Sequence, residues 1–366
     1  MKRAVTNKKI FFIINGLGYG GAETHLLRLC VALLQKGFNI SLITLTNNLS
    51  LENKLDSRIK HYKINLNNKF KLINNLRTIL KLVKLEQPTV VHAHLFQANI
   101  ISRFVKYFNP KVRVVNTTHC VYNDESILGL SPYVIYKFSK RWVNFHTAVS
   151  KESLELLRKR KSINHKRSLF LPNGLFVDEY KCENSRSNNS IFKWISIGRL
   201  IPVKNYKSLI VACKNLLSKS HKFQLHIVGE GSEKNTLEEL INNHKLEKQI
   251  KLVGTTDNVP KLLAKYDAFV ISSDSEGLPM VLLEAMSSSL PVVSTNVGEI
   301  GAILKASKGG LMVTPKDANA LSEAMSEIMK LNVYELKELG ENNFKYVKDN
   351  FDMNTIVNNW IEIYNN

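Results

Sequence analysis

Glu276 and Glu284 are separated by seven residues in the string SSDSEGLPMVLLEAM at 272–286. Glu276 precedes Gly277, Leu278 and Pro279, and proline is favoured in the first turn of a helix, so a helix is expected to start there. Glu284 then falls inside that helix among Val281, Leu282, Leu283 and Met286. A carboxylate among apolar neighbours needs a partner, and a ribose diol would serve. The open amides around Gly277 to Met280 can meet a sugar or phosphate oxygen. The plainer reading is a pair of surface acids beside a proline.

Arg199 and Lys204 lie five residues apart in GRLIPVKN at 198–205. A Pro-containing turn opened by Gly198 lets both reach one anion. A diphosphate leaving group gains charge as it departs and needs such compensation. Arginine offers a fork and lysine a movable point charge. A solvated basic loop is the alternative. A further glycine turn, VGEGSE at 228–233, contains Gly229 and could face a base or sugar.

Near the N-terminus, Gly16, Gly18, Gly20 and Gly21 crowd the connection INGLGYGGAE. Glycines let backbone approach a ligand closely, and a following helix start would aim amides at an anion. No GK[ST] follows, so this is not a Walker A loop. The letters of GxGxxG occur, yet no acidic residue after Leu45 is placed to hold a ribose. A tight strand-to-helix turn without ligand is the alternative. His92 and His94, two apart in VVHAHLF, share one strand face. His119 follows VVNTT and His146 lies in NFHTAVS. His119 is the strongest catalytic candidate, against a hydrogen-bonded structural histidine. No third ligand is placed to build a metal site from these.

These residues require elements to hold them. Strand-like runs occur at 9–14, 39–45, 89–93, 112–116, 144–148 and 168–171, with helical patterns at 23–35 and 72–85. In the second half, strands are expected at 193–197, 224–228, 250–253, 268–271, 291–294 and 310–313. Helices are expected there at 205–217, 236–243, 259–265, 281–287, 317–329 and 334–346. The strands are apolar runs, as in sheets covered on both faces, so two doubly wound α/β domains with mostly parallel sheets are predicted. The polar stretch KCENSRSNNS at 181–190 is the expected boundary, with domains at 1–185 and 191–349. Open α/β sheets bind ligands at the carboxyl ends of their strands, here in an interdomain cleft.

With 366 residues, 44% hydrophobic and 22% charged, the chain has ordinary globular composition, which excludes disorder, coiled coil and fibrous repeats. Its 51 Lys and Arg exceed 31 Asp and Glu, for a net charge of +20. The excess is one-sided: residues 1–190 hold 31 basic and 11 acidic side chains, and the remainder holds 20 of each. A basic half suits nucleic acid, an anionic membrane or a polyanionic substrate. Its densest patch is RKRKSINHKR at 158–167. The run 69–86 reads either as a core-facing helix or as an interfacial one. Cys30, Cys120, Cys182 and Cys213 form no CxxC pair and read as free thiols of a reducing compartment. The apolar stretch at 10–14 is too short for a signal peptide and reads as a buried first strand, and no run of 18 apolar residues predicts a spanning helix.

The chain resembles the GT4 glycosyltransferases, which have the GT-B architecture of two facing Rossmann-like domains. The resemblance covers essentially the whole chain. It rests on GGAE at 20–23, THC with His119, AVS at 148–150, PNG at 172–174, GR…KN at 198–205, VGEG at 228–231 and the Glu276/Glu284 string. One piece departs mildly, reading Val297-Gly298-Glu299. The resemblance implies an acceptor-binding first domain, a nucleotide-sugar-binding second domain, and a C-terminal helix at 350–366 packing back on the first. It places Gly20 and Gly21 near the donor diphosphate and sugar, and His119 near the sugar and acceptor. Arg199 and Lys204 would bind diphosphate, Glu276 with the amides of Gly277 and Leu278 the sugar hydroxyls, and Glu284 the ribose. Gly229 joins this donor-binding set.

The expected reaction is retaining transfer of a hexosyl unit from a nucleoside diphosphate sugar to an acceptor hydroxyl, with UDP favoured over GDP. No further cofactor and no metal are expected. Charge and family habit favour a lipid-linked glycan at the cytoplasmic membrane face, in synthesis of surface polysaccharide, lipopolysaccharide or protein-linked glycan. The protein would then be cytoplasmic and peripheral, held on the anionic membrane by its basic half. A nucleotide-sugar epimerase fits the length but not GGAE with the paired glutamates. A nucleic-acid-binding module predicts aromatic residues among the basic ones at 158–167, which has none, and leaves both glutamates idle.

Overall fold

The computed structural model describes residues 8–64, 72–119, 131–181, 191–219 and 221–365. Cys120, Cys182 and all but Lys181 of the expected boundary stretch lie outside them. The chain divides into two compact units, Met1–Gly174 with Met353–Asn366, and Leu175–Asp352. The division falls ahead of the polar stretch because Leu175, Val177 and Tyr180 are buried in the core of the second unit.

The first unit carries β1 (Lys9–Ile14), β2 (Asn39–Thr44), β3 (Lys60–Lys63), β4 (Val90–His94), β5 (Arg113–Thr118), β6 (Phe145–Ala148) and β7 (Ser168–Phe170). They form one parallel sheet in the order β3-β2-β1-β4-β5-β6-β7. Its helices are α1 (Gly21–Gln35), α2 (Leu72–Glu86), α3 (Phe96–Phe108), α4 (Pro132–Ser139) and α5 (Lys151–Lys159). In β1, residues from Ile10 to Ile14 are fully buried, as a strand covered on both faces requires. α2 sends Ile79 and Val83 into a core with Phe11, Ile13 and Val91, so this helix faces the core.

The second unit repeats the plan with β8 (Phe192–Ile197), β9 (Phe223–Val228), β10 (Ile250–Leu252), β11 (Ala268–Ile271), β12 (Val292–Thr295) and β13 (Gly310–Val313). The order is β10-β9-β8-β11-β12-β13, again parallel. Its helices are α6 (Tyr206–Ser218), α7 (Lys234–Asn243), α8 (Val259–Leu263), α9 (Met280–Ser287), α10 (Ile300–Ser307), α11 (Ala318–Lys330) and α12 (Val333–Phe351). Asn332 and Glu335 close a capping box at the start of α12. At Asp352 the backbone turns extended and α13 (Met353–Asn365) begins. α13 belongs to the first unit, where Trp360 and Tyr364 are buried against His92.

Among the described residues, five helices and strands are reached neither by the hydrophobic pattern nor by the family resemblance. β3, with the sequence KHYK, is a polar edge strand tied by Lys60 and Tyr62 to Glu86. α3 is apolar on its outer face as well as its inner one, which blurs its period. α4, α5 and α10 are only eight or nine residues long. Cys30 and Cys213 are buried free thiols, and burial pushes both well above the ordinary thiol pKa.

Candidate active site

In each sheet the strand order reverses direction between the first strand and the fourth, between β1 and β4 and between β8 and β11. Loops at the carboxyl ends of strands flanking such a point form the ligand site of open α/β sheets. Most of the residues singled out from sequence lie on those loops.

In the second unit, the chain leaves β8 through Gly198, Arg199 and a 3-10 turn at Pro202–Lys204. The chain leaving β11 runs alongside it, because the Asp274 amide donates to the Val203 carbonyl at 2.8 Å and Asn205 Nδ2 donates to Asp274 Oδ1 at 2.7 Å. Ser272 Oγ donates to the Lys204 carbonyl at 2.9 Å. This pairing sets Lys204 Nζ 2.5 Å from Glu276 Oε1, and Ser273 Oγ donates to the same oxygen at 2.6 Å. Both ends of the ion pair are mostly buried, with side-chain exposures of 17% and 11%. Arg199 is exposed and makes no ion pair among the described residues. Tyr206 lies beneath the turn, and burial raises its hydroxyl pKa.

Two glycines allow these loops to close on one another. Gly229 has φ +149°, and a Cβ there would lie 2.0 Å from the Gly198 carbonyl oxygen. Gly298 has φ +55°, and its Cβ would lie 2.2 Å from the Glu276 carbonyl oxygen. Glu299 then donates its amide to the Gly277 carbonyl at 3.0 Å. Pro279 stands at the N-cap of α9, which has no side-chain cap. The amides of Gly277 and Leu278 donate to no acceptor among the described residues. Glu284 is buried one turn into α9. The GR…KN, VGEG, VGE and paired-glutamate pieces thus meet at one end of one sheet.

In the first unit, Gly20 precedes α1 in an extended conformation without a side-chain cap, and Gly21 is the first helical residue. One turn on, buried His25 accepts the Gly174 amide on Nδ1 at 3.2 Å, which ties α1 to the PNG stretch. That bond leaves the ring proton on Nε2. His94 ends β4 and His119 follows β5, with His94 Nδ1 and His119 Nε2 2.9 Å apart. The His25 ring lies 6.3 Å from each of them, centroid to centroid. His92 points to the same sheet face as His94, with ring centroids 4.2 Å apart. Its role is structural: Nδ1 meets the Tyr364 hydroxyl at 2.8 Å and Nε2 meets Thr117 Oγ1 at 2.7 Å. His146 is also structural, bonded to Thr118 and packed on Tyr136. Ser150 of AVS caps α5.

Desolvation lowers the pKa of His25 and of His119 to about 3 and takes His92 and His94 well below the ordinary value. These rings are therefore neutral hydrogen-bonding groups at physiological pH. His25 Nε2, His94 Nε2, His119 Nδ1, Asn15 Oδ1 and Asn173 Oδ1 are buried polar atoms with no partner among the described residues. Such atoms call for water or a ligand. Sequence reasoning missed His25 and Asn173 in this set and Ser273, Asp274 and Tyr206 in the other. Asn173, Ser273 and Asp274 stand inside motifs already noted, and His25 and Tyr206 stand within two residues of one. Among the described residues, no group of three or more His, Cys, Asp or Glu could hold a metal ion.

Residues 19–179 match the family described as Glycosyltransferase Family 4, and residues 181–346 match Glycosyl transferases group 1. The chain is a GT-B glycosyltransferase related to GT4. It is 29% identical to a glycosyltransferase of Methanocaldococcus jannaschii over 62% of this chain and 60% of that protein. It is 24% identical to an Escherichia coli UDP-Gal:alpha-D-GlcNAc-diphosphoundecaprenol alpha-1,3-galactosyltransferase over 80% of each chain. The Anabaena protein HepE, solved with UDP and glucose, superposes with a TM-score of 0.82 at 18% identity, covering 97% of this chain and 99% of that one. At that identity the likeness shows the fold. The chain thus spans about three fifths of the first relative and four fifths of the second.

Proposed function

We propose that this glycosyltransferase moves a hexosyl unit from a nucleoside diphosphate sugar, UDP before GDP, to a hydroxyl of a lipid-linked glycan, with retention at the anomeric carbon. The observation that carries this is the Lys204–Glu276 pair, fixed by Ser273 at the switch point of the second sheet. Lys204 and Arg199 compensate the leaving diphosphate, and Glu276 with the amides of Gly277 and Leu278 holds sugar hydroxyls. Glu284 takes the ribose, and the Gly229 turn lies against the nucleotide. The first-turn amides after Gly20 and Gly21 meet diphosphate or sugar oxygens.

In the reaction, the bond from the anomeric carbon to the diphosphate oxygen breaks. The acceptor oxygen bonds to that carbon on the same face, and its proton passes to a diphosphate oxygen. No protein nucleophile is required. Neutral His119 offers Nδ1 to the transferred sugar while His94 holds Nε2, so His119 orients by hydrogen bonding and carries no charge.

The E. coli relative is named for a diphosphoundecaprenol-linked acceptor. That name and the basic first half support a lipid-linked acceptor and a peripheral place on the inner membrane face, in surface-glycan synthesis. No described helix is long and apolar enough to cross a membrane. The test is a thermal-shift panel of UDP, GDP, ADP and dTDP and their sugar conjugates, followed by transfer to a lipid-linked acceptor. UDP alone should stabilise the second unit, by about 2.7 kcal/mol at a hundredfold excess over its Kd. Stabilisation by none of them would overturn the donor assignment.

A further inference from the structure

The phenylalanines that are exposed among the described residues are Phe104, Phe108 and Phe138, and all three lie on α3 and α4. On α3, Phe104, Tyr107 and Phe108 are spaced three and four apart and share the outward face. On α4, Val134 and Phe138 are four apart, exposed by 40% and 76%. A 3-10 turn at Lys140–Trp142 follows α4 directly. Trp142 joins the two helices, its ring 5.1 Å from Tyr107, whose own ring is 5.0 Å from Phe108. Aromatic side chains grouped in this way have no core to fill.

Beside this face is a cavity of about 430 Å³. Lys140, Arg141, Lys161, His165 and Arg167 line it, and no acidic side chain does. None of these five makes an ion pair among the described residues. Across the cavity Lys140 Nζ reaches the Lys161 carbonyl at 3.5 Å, and Ser162, between the lining residues Lys161 and Ile163, donates Oγ to the Tyr133 carbonyl at 3.1 Å. Arg141 lies 5.2 Å over the Trp142 ring and so belongs to both features. Two further arginines of the basic stretch are engaged elsewhere. Arg158 bonds the Ser168 carbonyl and hydroxyl, and Arg160 stacks 3.9 Å over Tyr133.

We propose that the first unit docks on an anionic phospholipid surface through the aromatic face of α3 and α4, with the adjoining basic cavity receiving lipid phosphate. Aromatic rings enter the interfacial region of a bilayer, and cations beside them gain from anionic head groups. A second copy of this chain is a poor occupant, since pairing the face with itself would set cations against cations. The docking rests on the membrane partner proposed above and names the face that meets it.

The test uses the full chain with vesicles of phosphatidylcholine alone and of phosphatidylcholine mixed equally with phosphatidylglycerol. The wild-type chain should sediment with the mixed vesicles, and brominated lipid should quench Trp142, since Trp194 and Trp360 are fully buried. Phe138→Ser with Phe108→Ser should weaken sedimentation at least about tenfold, and Arg141→Glu with Lys161→Glu should abolish the preference for phosphatidylglycerol. An unchanged thermal shift with UDP shows that either variant is folded. If the aromatic variant sediments as the wild type does, this face is not the dock, although the membrane partner stands. If the wild-type chain does not sediment, both fall, while nucleotide binding still stands or fails by its own panel.

Discussion

Lys204 and Glu276 form a mostly buried ion pair, which the donor enters in the proposed reaction. With the two side chains mostly buried and Ser273 bonded to the same carboxylate oxygen, the ammonium is held in place before any diphosphate arrives. Preorganised charge of this kind acts on the transition state, at little reorganisation cost. Lys204→Ala is therefore expected to lower kcat by about 10²–10³ and to move Tm only slightly. Single-turnover transfer assays beside a melting curve check this, and ordinary turnover would remove the role. Glu284 sits buried in α9, where a carboxylate facing a ribose would be tied to its hydroxyls. Glu284→Gln should weaken nucleotide affinity by about tenfold, close to 1.4 kcal/mol. Calorimetric titration measures it, and an unchanged Kd would strike out the ribose assignment.

At the scale of elements, the proposed donor half-site depends on how closely loops approach. The chain after β12 presses Gly298 against the backbone of Glu276 and Gly277 in a left-handed conformation. Gly298→Ala would need both a strained φ and room that the Glu276 carbonyl occupies, at a cost of about 1–3 kcal/mol. The variant should show a lower Tm together with weaker donor binding, because the Glu276 loop must shift. A Tm and KM equal to wild type would mean the loops are not coupled. In the first unit, α13 is pinned by the Tyr364–His92 bond, which continues from His92 through Thr117 to Thr147. A helix far along the chain thus buttresses the strand that carries His94.

For the whole molecule, the buried histidines make acid the natural denaturant of the first unit. His25, His119 and His146 have folded pKa values of about 3, and those of His92 and His94 are well below the ordinary value. In the unfolded chain these side chains titrate near 6.5. The unfolded state therefore binds more protons between those values, and stability that is complete above about pH 6.5 is lost as pH falls. Each histidine can contribute up to about 1.4 kcal/mol per pH unit. The histidines lowered in the second unit, His221 and His226, are less buried. Hydrogen exchange from pH 7 to pH 4 should show protection falling earlier in β4, β5 and β6 than in β8 and β11. Equal loss in both sheets would contradict it.

Two α/β units, the parallel sheets and the loops bearing chemistry were all legible from the residues, because a strand covered on both faces is an unbroken apolar run and glycine-rich turns have few other uses. The short helices α4, α5 and α10 and the polar edge strand β3 carry too little period to be seen. The candidate site was legible where a motif held it locally, as in Glu276 through Glu284. It was not legible where partners come from distant segments. His25 reaches Gly174, His94 reaches His119, and Lys204 reaches Glu276 across 72 positions. Even same-face histidines two apart took different parts, His92 pinning α13 and His94 holding His119. Local patterns follow from backbone geometry and burial within a few residues. Which side chains meet is a consequence of sheet order, and that order is settled by packing the whole chain.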